Sequence, residues 1–330
     1  MITKLGARCA TLFLLLAWLA TMAACTGTTE LPTVGICQFI SHPDLDSMRM
    51  GFVQALQDAG YEDGRNVHID YQNAEGDMAT VQLINQKFVN QKVNLIIAIA
   101  TPCLQAALQA TEETPIIFVG IDDPYGAGAG TTTEDHLPNV TGIAVAFKAL
   151  GDAELAMVRE VLPDARSVGI LWNPSEANSQ AWIKYLRVKG PEMGLELVEQ
   201  TVAGSQDVLQ AAQSLAAQEV SAIVQVADNT VASAFDALIQ VGDQVDVPVF
   251  SIMGDGADKG ACVSLPVDWY AAGYAAGEMA VRVLEGEDTA KMPFQTASRV
   301  SLQVNLEAAK RQGVHIPESV LQKADKVIGQ

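Results

Sequence analysis

Short apolar runs alternate along this chain with stretches in which apolar residues recur every three or four positions. The first cycle sets the pattern. Residues 34–37 (Val-Gly-Ile-Cys) predict a short buried strand, and 38–44 break it with polar residues and Pro43. Leu45, Met48, Met50, Phe52, Val53 and Leu56 then follow at helical spacing up to Gly60. Further strands are predicted at 67–71, 94–100, 116–121 and 139–145, with a helix over 77–91 and another opening at Thr101-Pro102. Runs such as 94–100 (NLIIAIA) are apolar without alternation, which marks strands covered on both faces.

A second set repeats the design. Val168-Gly169-Ile170 restates the opening, Asn173 and Pro174 break the strand, and a helix over 176–193 follows. Strands at 195–202, 222–227, 247–253 and 262–265 alternate with helices at 206–219 and 230–241. Residues 269–284 predict one more amphipathic helix, 300–304 a late strand, and 306–310 and 317–327 terminal helices. Alternation of this kind predicts an α/β architecture: two doubly wound parallel-sheet lobes in series. Late elements are expected to pack back on the first lobe.

Ahead of the first strand stands an address. Lys4 and Arg8 precede an apolar run over 11–20, and Met22-Ala23-Ala24 leads to Cys25. The run is short for a membrane span and reads as a secretory signal over 1–24. Cys25 after two alanines fits a lipobox, with Met22 where leucine is usual, and the plainer alternative is an ordinary cleavage site nearby. Residues 25–32 then form a lipidated cysteine and tether. Removing 1–24 takes away Lys4 and Arg8, which leaves 18 basic against 39 acidic side chains, or −21 instead of −19. Such a surface argues against nucleic acid and anionic membranes as partners. Cys37, Cys103 and Cys262 sit in apolar settings and are expected as buried thiols.

Catalytic and metal-binding signatures do not occur. The sequence has no phosphate loop, nucleophile elbow or zincin motif, and its four histidines have no ligand spacing. No enzyme activity, cofactor or metal is therefore expected, and a secreted hydrolase rests only on scattered Ser, His and Asp residues. Polar residues gather instead where strands end, at Ser41-His42, Thr101, Asp122-Asp123, Thr141, 173–179, Asp228-Asn229, Ser251 and Asp268. Capping accounts for many of them. Helix N-termini converging on one cleft would offer N–H groups to a carboxylate, and an aspartate such as Asp228 or Asp268 would hold an ammonium. Phe39, Tyr125, Trp172 and Trp269 lie near these loops and could stack on an apolar or aromatic group.

The ordered set VGICQFISHPDLD, YQNAEGD, NLIIAIATP, DDPYGAG, NVTGI, ILWNPSEANS and IPESVLQKADKVI resembles the substrate-binding lipoproteins of ABC importers, in the group with tryptophan- and tyrosine-binding members. The resemblance runs from about residue 33 to the C-terminus. It implies a type I periplasmic-binding-protein fold joined by a three-strand hinge, with crossings after the NVTG strand, near Asp268 and near 292–295. Lobe 1 would be 33–145 plus 269–292, lobe 2 would be 146–268 plus 295–312, and 313–330 a C-terminal helix. Carried over by motif, the ligand contacts would be Ser41, His42, Thr101, Pro102, Asp123, Thr141, Gly142, Ser175, Asn178, Ser179, Asp228, Asn229 and Asp268. The implied function is capture of a small molecule, an amino acid with aromatic ones favoured, for an ABC permease and its ATPase. The protein would be a monomer held to a bacterial membrane only by its lipid. An extracellular sensor reporting to a membrane receptor would use the same cleft.

Overall fold

The computed structural model describes residues 31–329, so the apolar leader and Cys25 lie outside the described residues. The first sheet contains β1 (Thr33–Gln38), β2 (His68–Asn73), β3 (Leu95–Ile99), β4 (Ile116–Ile121), β5 (Val140–Val145) and β11 (Gln295–Ala297). Their order is β11-β5-β4-β3-β1-β2, parallel throughout. Helices α1 (Pro43–Asp58), α2 (Met78–Asn90) and α3 (Thr101–Ala110) connect them. The second sheet contains β6 (Ser167–Trp172), β7 (Glu196–Thr201), β8 (Ala222–Gln225), β9 (Val249–Ser251), β10 (Val263–Ser264), β12 (Gln303–Asn305) and β13 (Lys326–Ile328). Its order is β13-β12-β10-β9-β8-β6-β7, with β12 antiparallel to β10. Its helices are α4 (Phe147–Val161), α5 (Ala177–Glu192), α6 (Val208–Ala216), α7 (Asn229–Ser233), α8 (Phe235–Gln244), α9 (Gly256–Lys259), α11 (Leu306–Arg311) and α12 (Glu318–Leu321).

Both sheets reverse their winding at one place, β1 in the first and β6 in the second. Chain leaving the C-terminal ends of neighbouring strands there runs in opposite directions and opens a crevice. The loops after β1, β3, β6 and β8 therefore face a common space, and they carry His42, Thr101, Asn173 and Asp228.

Helix α10 (Trp269–Leu284) returns to the first lobe and packs on α1 at backbone contact. A Cβ at Gly273 would lie 1.9 Å from the Met48 carbonyl oxygen, and one at Gly51 would lie 2.1 Å from that of Tyr270. This pairing fixes Met48 and Trp269 on one wall of the crevice.

Three expectations change. Gln295–Ala297 pairs with β5 as an edge strand of the first sheet, so the third crossing is 298–302 rather than 292–295. The region 295–312 is thus divided between the lobes. The helix expected over 313–330 is not formed in the described part, 313–329: α12 has four residues, and β13 then extends the second sheet beside β12. Beyond the helix, Asp325 accepts the Leu302 N–H at 2.8 Å. At the hinge, Val267 and Val300 form an isolated antiparallel bridge.

One core residue breaks the apolar rule. Glu154 on α4 is 1 % exposed, and neither carboxyl oxygen has a hydrogen-bond partner. Burial pushes its pKa well above the ordinary 4.5, so it is neutral in the folded protein. A raised folded pKa gives stability that is complete below pH 4.5 and lost as pH climbs toward the folded value, by about 1.4 kcal/mol per unit. Glu154→Met, which removes two unpaired acceptors at similar length, is expected to raise Tm, and more at pH 8 than at pH 5. A Tm gain independent of pH would contradict this titration.

Candidate functional site

Between the lobes lies a chamber with about 520 Å3 of space free of atoms, mouth included. The first lobe contributes His42, Asp44, Leu45, Met48, Ala100, Thr101, Gly120, Asp122 and Trp269. The second contributes Asn178, Gln225, Ala227, Asp228, Asn229, Ala232, Ile252 and Met253. A mostly apolar wall with a few polar groups is the lining of a small-molecule site. Gly120, at φ +71°, leaves room for the Met48 thioether, which a Cβ there would meet at 2.6 Å.

The chamber's charge is one-sided. Burial raises the carboxyl pKa of Asp44, Asp122 and Asp228 to about 7 each, and no Lys or Arg lines the wall. The three acids differ in their partners. Asp228 Oδ1 accepts the Val231 N–H at 2.7 Å, and Oδ2 accepts the Asn173 N–H and the Ser179 hydroxyl, both at 2.6 Å. Asp44 accepts the Gly254 N–H at 3.0 Å, a direct bond from the first lobe to the second. Asp122 faces the Trp182 indole N–H of the opposite lobe, which offsets part of the burial. Close by, Asn178 donates to the Ala227 carbonyl at 2.7 Å, while its Oδ1 is buried without a partner.

Donors for an anion are fewer than the sequence suggests. The first N–H groups of α7 are taken: those of Asn229 and Thr230 reach the Glu176 carboxylate at 3.1 and 3.0 Å, and that of Val231 reaches Asp228. Thr101 at the start of α3, and Ala177, Asn178 and Ser179 at the start of α5, keep orphan N–H groups as first-turn residues do. His42 is neutral, because burial lowers its pKa to about 4 and its Nδ1 accepts the Asp44 N–H at 3.1 Å.

Of the thirteen residues expected at the ligand, His42, Thr101, Asn178, Asp228 and Asn229 line the chamber. The others have different places. Ser41 is exposed and accepts from Asn73 Nδ2 at 2.6 Å. Pro102 is buried in the first turn of α3. Asp123 accepts the Gly126 N–H and faces an outer cavity that also exposes Trp172, Lys184 and Arg187. Thr141, fully buried, donates to the Met292 carbonyl at 2.7 Å and ties β5 to the chain before β11. Gly142 lets β5 pass the Phe118 carbonyl, which a Cβ would meet at 2.2 Å. Ser175 bonds Asn173 Oδ1 on the outer surface, and Ser179 is held by Asp228. Asp268 caps α10 through the Ala271 N–H at 3.0 Å, in a groove outside the chamber.

Asp44, Leu45, Met48, Asp122, Ile252, Met253 and Trp269 belong to the chamber without having been expected as contacts. Three of them had a sequence signal: Asp44 in the polar break over 38–44 that forms one lip of the expected cleft, Asp122 in the strand-end pair, and Trp269 among the aromatics near loops.

The family described as ABC transporter substrate binding protein matches residues 33–328. A tyrosine-binding protein from Clostridioides difficile strain R20291 is 34% identical over 285 residues, 86% of this chain and 82% of that one. A conserved domain protein from Vibrio cholerae superposes with a TM-score of 0.86 at 33% identity, covering 90% of this chain and all of the other. An ABC domain from Streptococcus pneumonia in complex with L-Trp gives 0.85 at 29% identity, with 91% and 100% coverage. The ligand-free, open structure of a Clostridium difficile substrate-binding protein gives only 0.67 at 33% identity, with the same coverage. The chain thus superposes better on the L-Trp complex than on the ligand-free, open structure, although it is less identical to the former. This chain belongs to the ABC transporter substrate-binding protein family.

Proposed function

We propose that the protein captures an L-amino acid, aromatic in preference, and presents its closed form to an ABC permease. The observation that carries the ligand class is the Asp122 carboxyl, faced by the Trp182 indole and by no cation or backbone N–H, in a chamber that has buried acids and no Lys or Arg in its wall. An ammonium entering there gains a buried charge partner, with Asn178 Oδ1 as a second acceptor. The orphan N–H groups opening α3 and α5 suit the carboxylate of the same zwitterion. Leu45, Met48, Ile252, Met253 and Trp269 offer the apolar and aromatic surface that a ring requires. Tyrosine binding by the Clostridioides difficile relative and the L-Trp complex of the Streptococcus pneumonia domain support the same class. Closure then follows from ligand bridging the lobes, together with the Asp44 to Gly254 bond.

Substrate-binding proteins of this family work outside the cytoplasm, and Cys25 is proposed as the lipid anchor of a monomer. Calorimetry on refolded, ligand-free protein against the amino acids tests the ligand. Saturable heat with tryptophan, tyrosine or phenylalanine is expected, with a rise in Tm at saturating ligand. Silence with every amino acid, in heat and in Tm, removes the assignment. For the anchor, intact mass of the exported protein should show a diacylglyceryl group on Cys25, and an unmodified N-terminus there would exclude it.

A further inference from the structure

Cys37 on β1 and Cys103 on α3 are 66 positions apart in sequence, yet their sulfurs lie 2.9 Å apart. Both residues have no exposed surface. The third thiol, Cys262, is elsewhere, in the second lobe, with its sulfur against the Val249 carbonyl at 3.2 Å. A contact of this length between two thiols is closer than non-bonded sulfurs rest, and it sits between two elements that flank the chamber. We propose that Cys37 and Cys103 are joined by a disulfide in the exported protein.

The chemistry is thiol–disulfide exchange with a disulfide-bearing oxidant, of the dithiol oxidoreductase or small-molecule disulfide class. One cysteine, as its thiolate, attacks the oxidant's S–S bond, forms a mixed disulfide and releases one thiol. The second thiolate then attacks the first cysteine's sulfur and releases the other. Two protons and two electrons leave the protein, and the oxidant departs as two thiols. Timing follows from burial. Desolvation, then the hydrogen bond to Cys37, holds the Cys103 thiol well above its ordinary range, so folded Cys103 is a poor nucleophile, and both sulfurs are buried out of reach. The bond therefore forms while the chain folds outside the cytoplasm, and once formed is shielded from reductants by the same burial. It closes a long loop, the situation in which a crosslink restricts the unfolded chain most. It also ties the start of α3, two residues after Thr101, to the strand whose loop bears His42.

Acid quenching of cells that export the full chain, followed by denaturation and alkylation without reductant, reads the state directly. A Cys37–Cys103 linked peptide, with Cys262 alone alkylated among the three body cysteines, is expected. Full alkylation of all three after acid trapping overturns the proposal, even if a bond appears later in air. Reduction in denaturant followed by refolding with the thiols blocked from reoxidising should lower Tm by roughly 5–10 °C. Cys103→Ala should start from the lower Tm and show no further change on reduction; a reductant-sensitive Tm in that variant would also count against the bond.

Discussion

Asp122→Asn is expected to weaken binding of an aromatic amino acid by about 100-fold or more, while Asp123→Asn next to it stays within about twofold. The two carboxylates follow each other in sequence, but only Asp122 lines the chamber. Asp123 already caps the turn at Gly126 and faces the outer cavity. Asp122 lies in the chamber, and burial holds its carboxyl up to about 7 in the empty protein. An ammonium binds the carboxylate form. Affinity is therefore full above about pH 7 and falls on acidification, by at most tenfold per pH unit. Asp228 is raised to the same region, but it accepts backbone N–H groups of its own lobe, whereas Asp44 accepts the Gly254 N–H across the lobes and keeps its share of any slope in parent and variant alike. The variant should thus lose the Asp122 share of the slope together with the affinity. Calorimetry at pH 8 and pH 6 separates the outcomes. Wild-type affinity in Asp122→Asn, or an undiminished slope, would transfer the ammonium to another acid and end this assignment.

The contrast between Asp122 and Asp123 shows how far the sequence reaches. Buried strands such as β3 and β4 are legible because continuous apolar runs of five or six residues have no other economical placement beside amphipathic helices. Their loops are legible as a cleft because reversing the winding opens a crevice at the strand ends. Which of two adjacent carboxylates enters that crevice depends on a single backbone rotation, and composition carries no trace of it. Asp228 and Ser179 illustrate a second limit. Each looks free in sequence, but they hydrogen-bond each other across 49 positions. Asp228, proposed from sequence as an ammonium holder, has both oxygens occupied by neighbours, which favours Asp122 for that task.

Leu45 and Met48 show a third limit. Their helical spacing identifies them as facing inward, and they do, but the first turns of α1 project past the sheet, so the same stripe is core at Phe52 and chamber wall at Met48. The C-terminal segment fails for a related reason. Residues 317–327 have a helical apolar period, but edge pairing with β12 satisfies the backbone of Lys326–Ile328 as well as a helix would.

Gly273→Ala should cost about 4 kcal/mol and lower the Tm of the first-lobe transition by roughly 10 °C. Local propensity argues the other way: alanine in the interior of an exposed helix is worth about 1 kcal/mol over glycine. Packing decides the sign. The added Cβ would lie 1.9 Å from the Met48 carbonyl oxygen and 2.6 Å from its carbonyl carbon, both backbone atoms of α1 that no rotamer change can move. Helices α1 and α10 must separate, and the Met48 and Trp269 surfaces that wall the chamber separate with them. Binding of an aromatic ligand should therefore weaken along with stability. Gly51→Ala, which meets the Tyr270 carbonyl at 2.1 Å from the other side of the same contact, should behave alike. In the double variant the two penalties should add to less than their sum, because one displacement relieves both clashes. Thermal denaturation of the two single variants and the double variant measures this. A Tm at or above that of the parent in either single variant would show that the close helix contact is absent in solution.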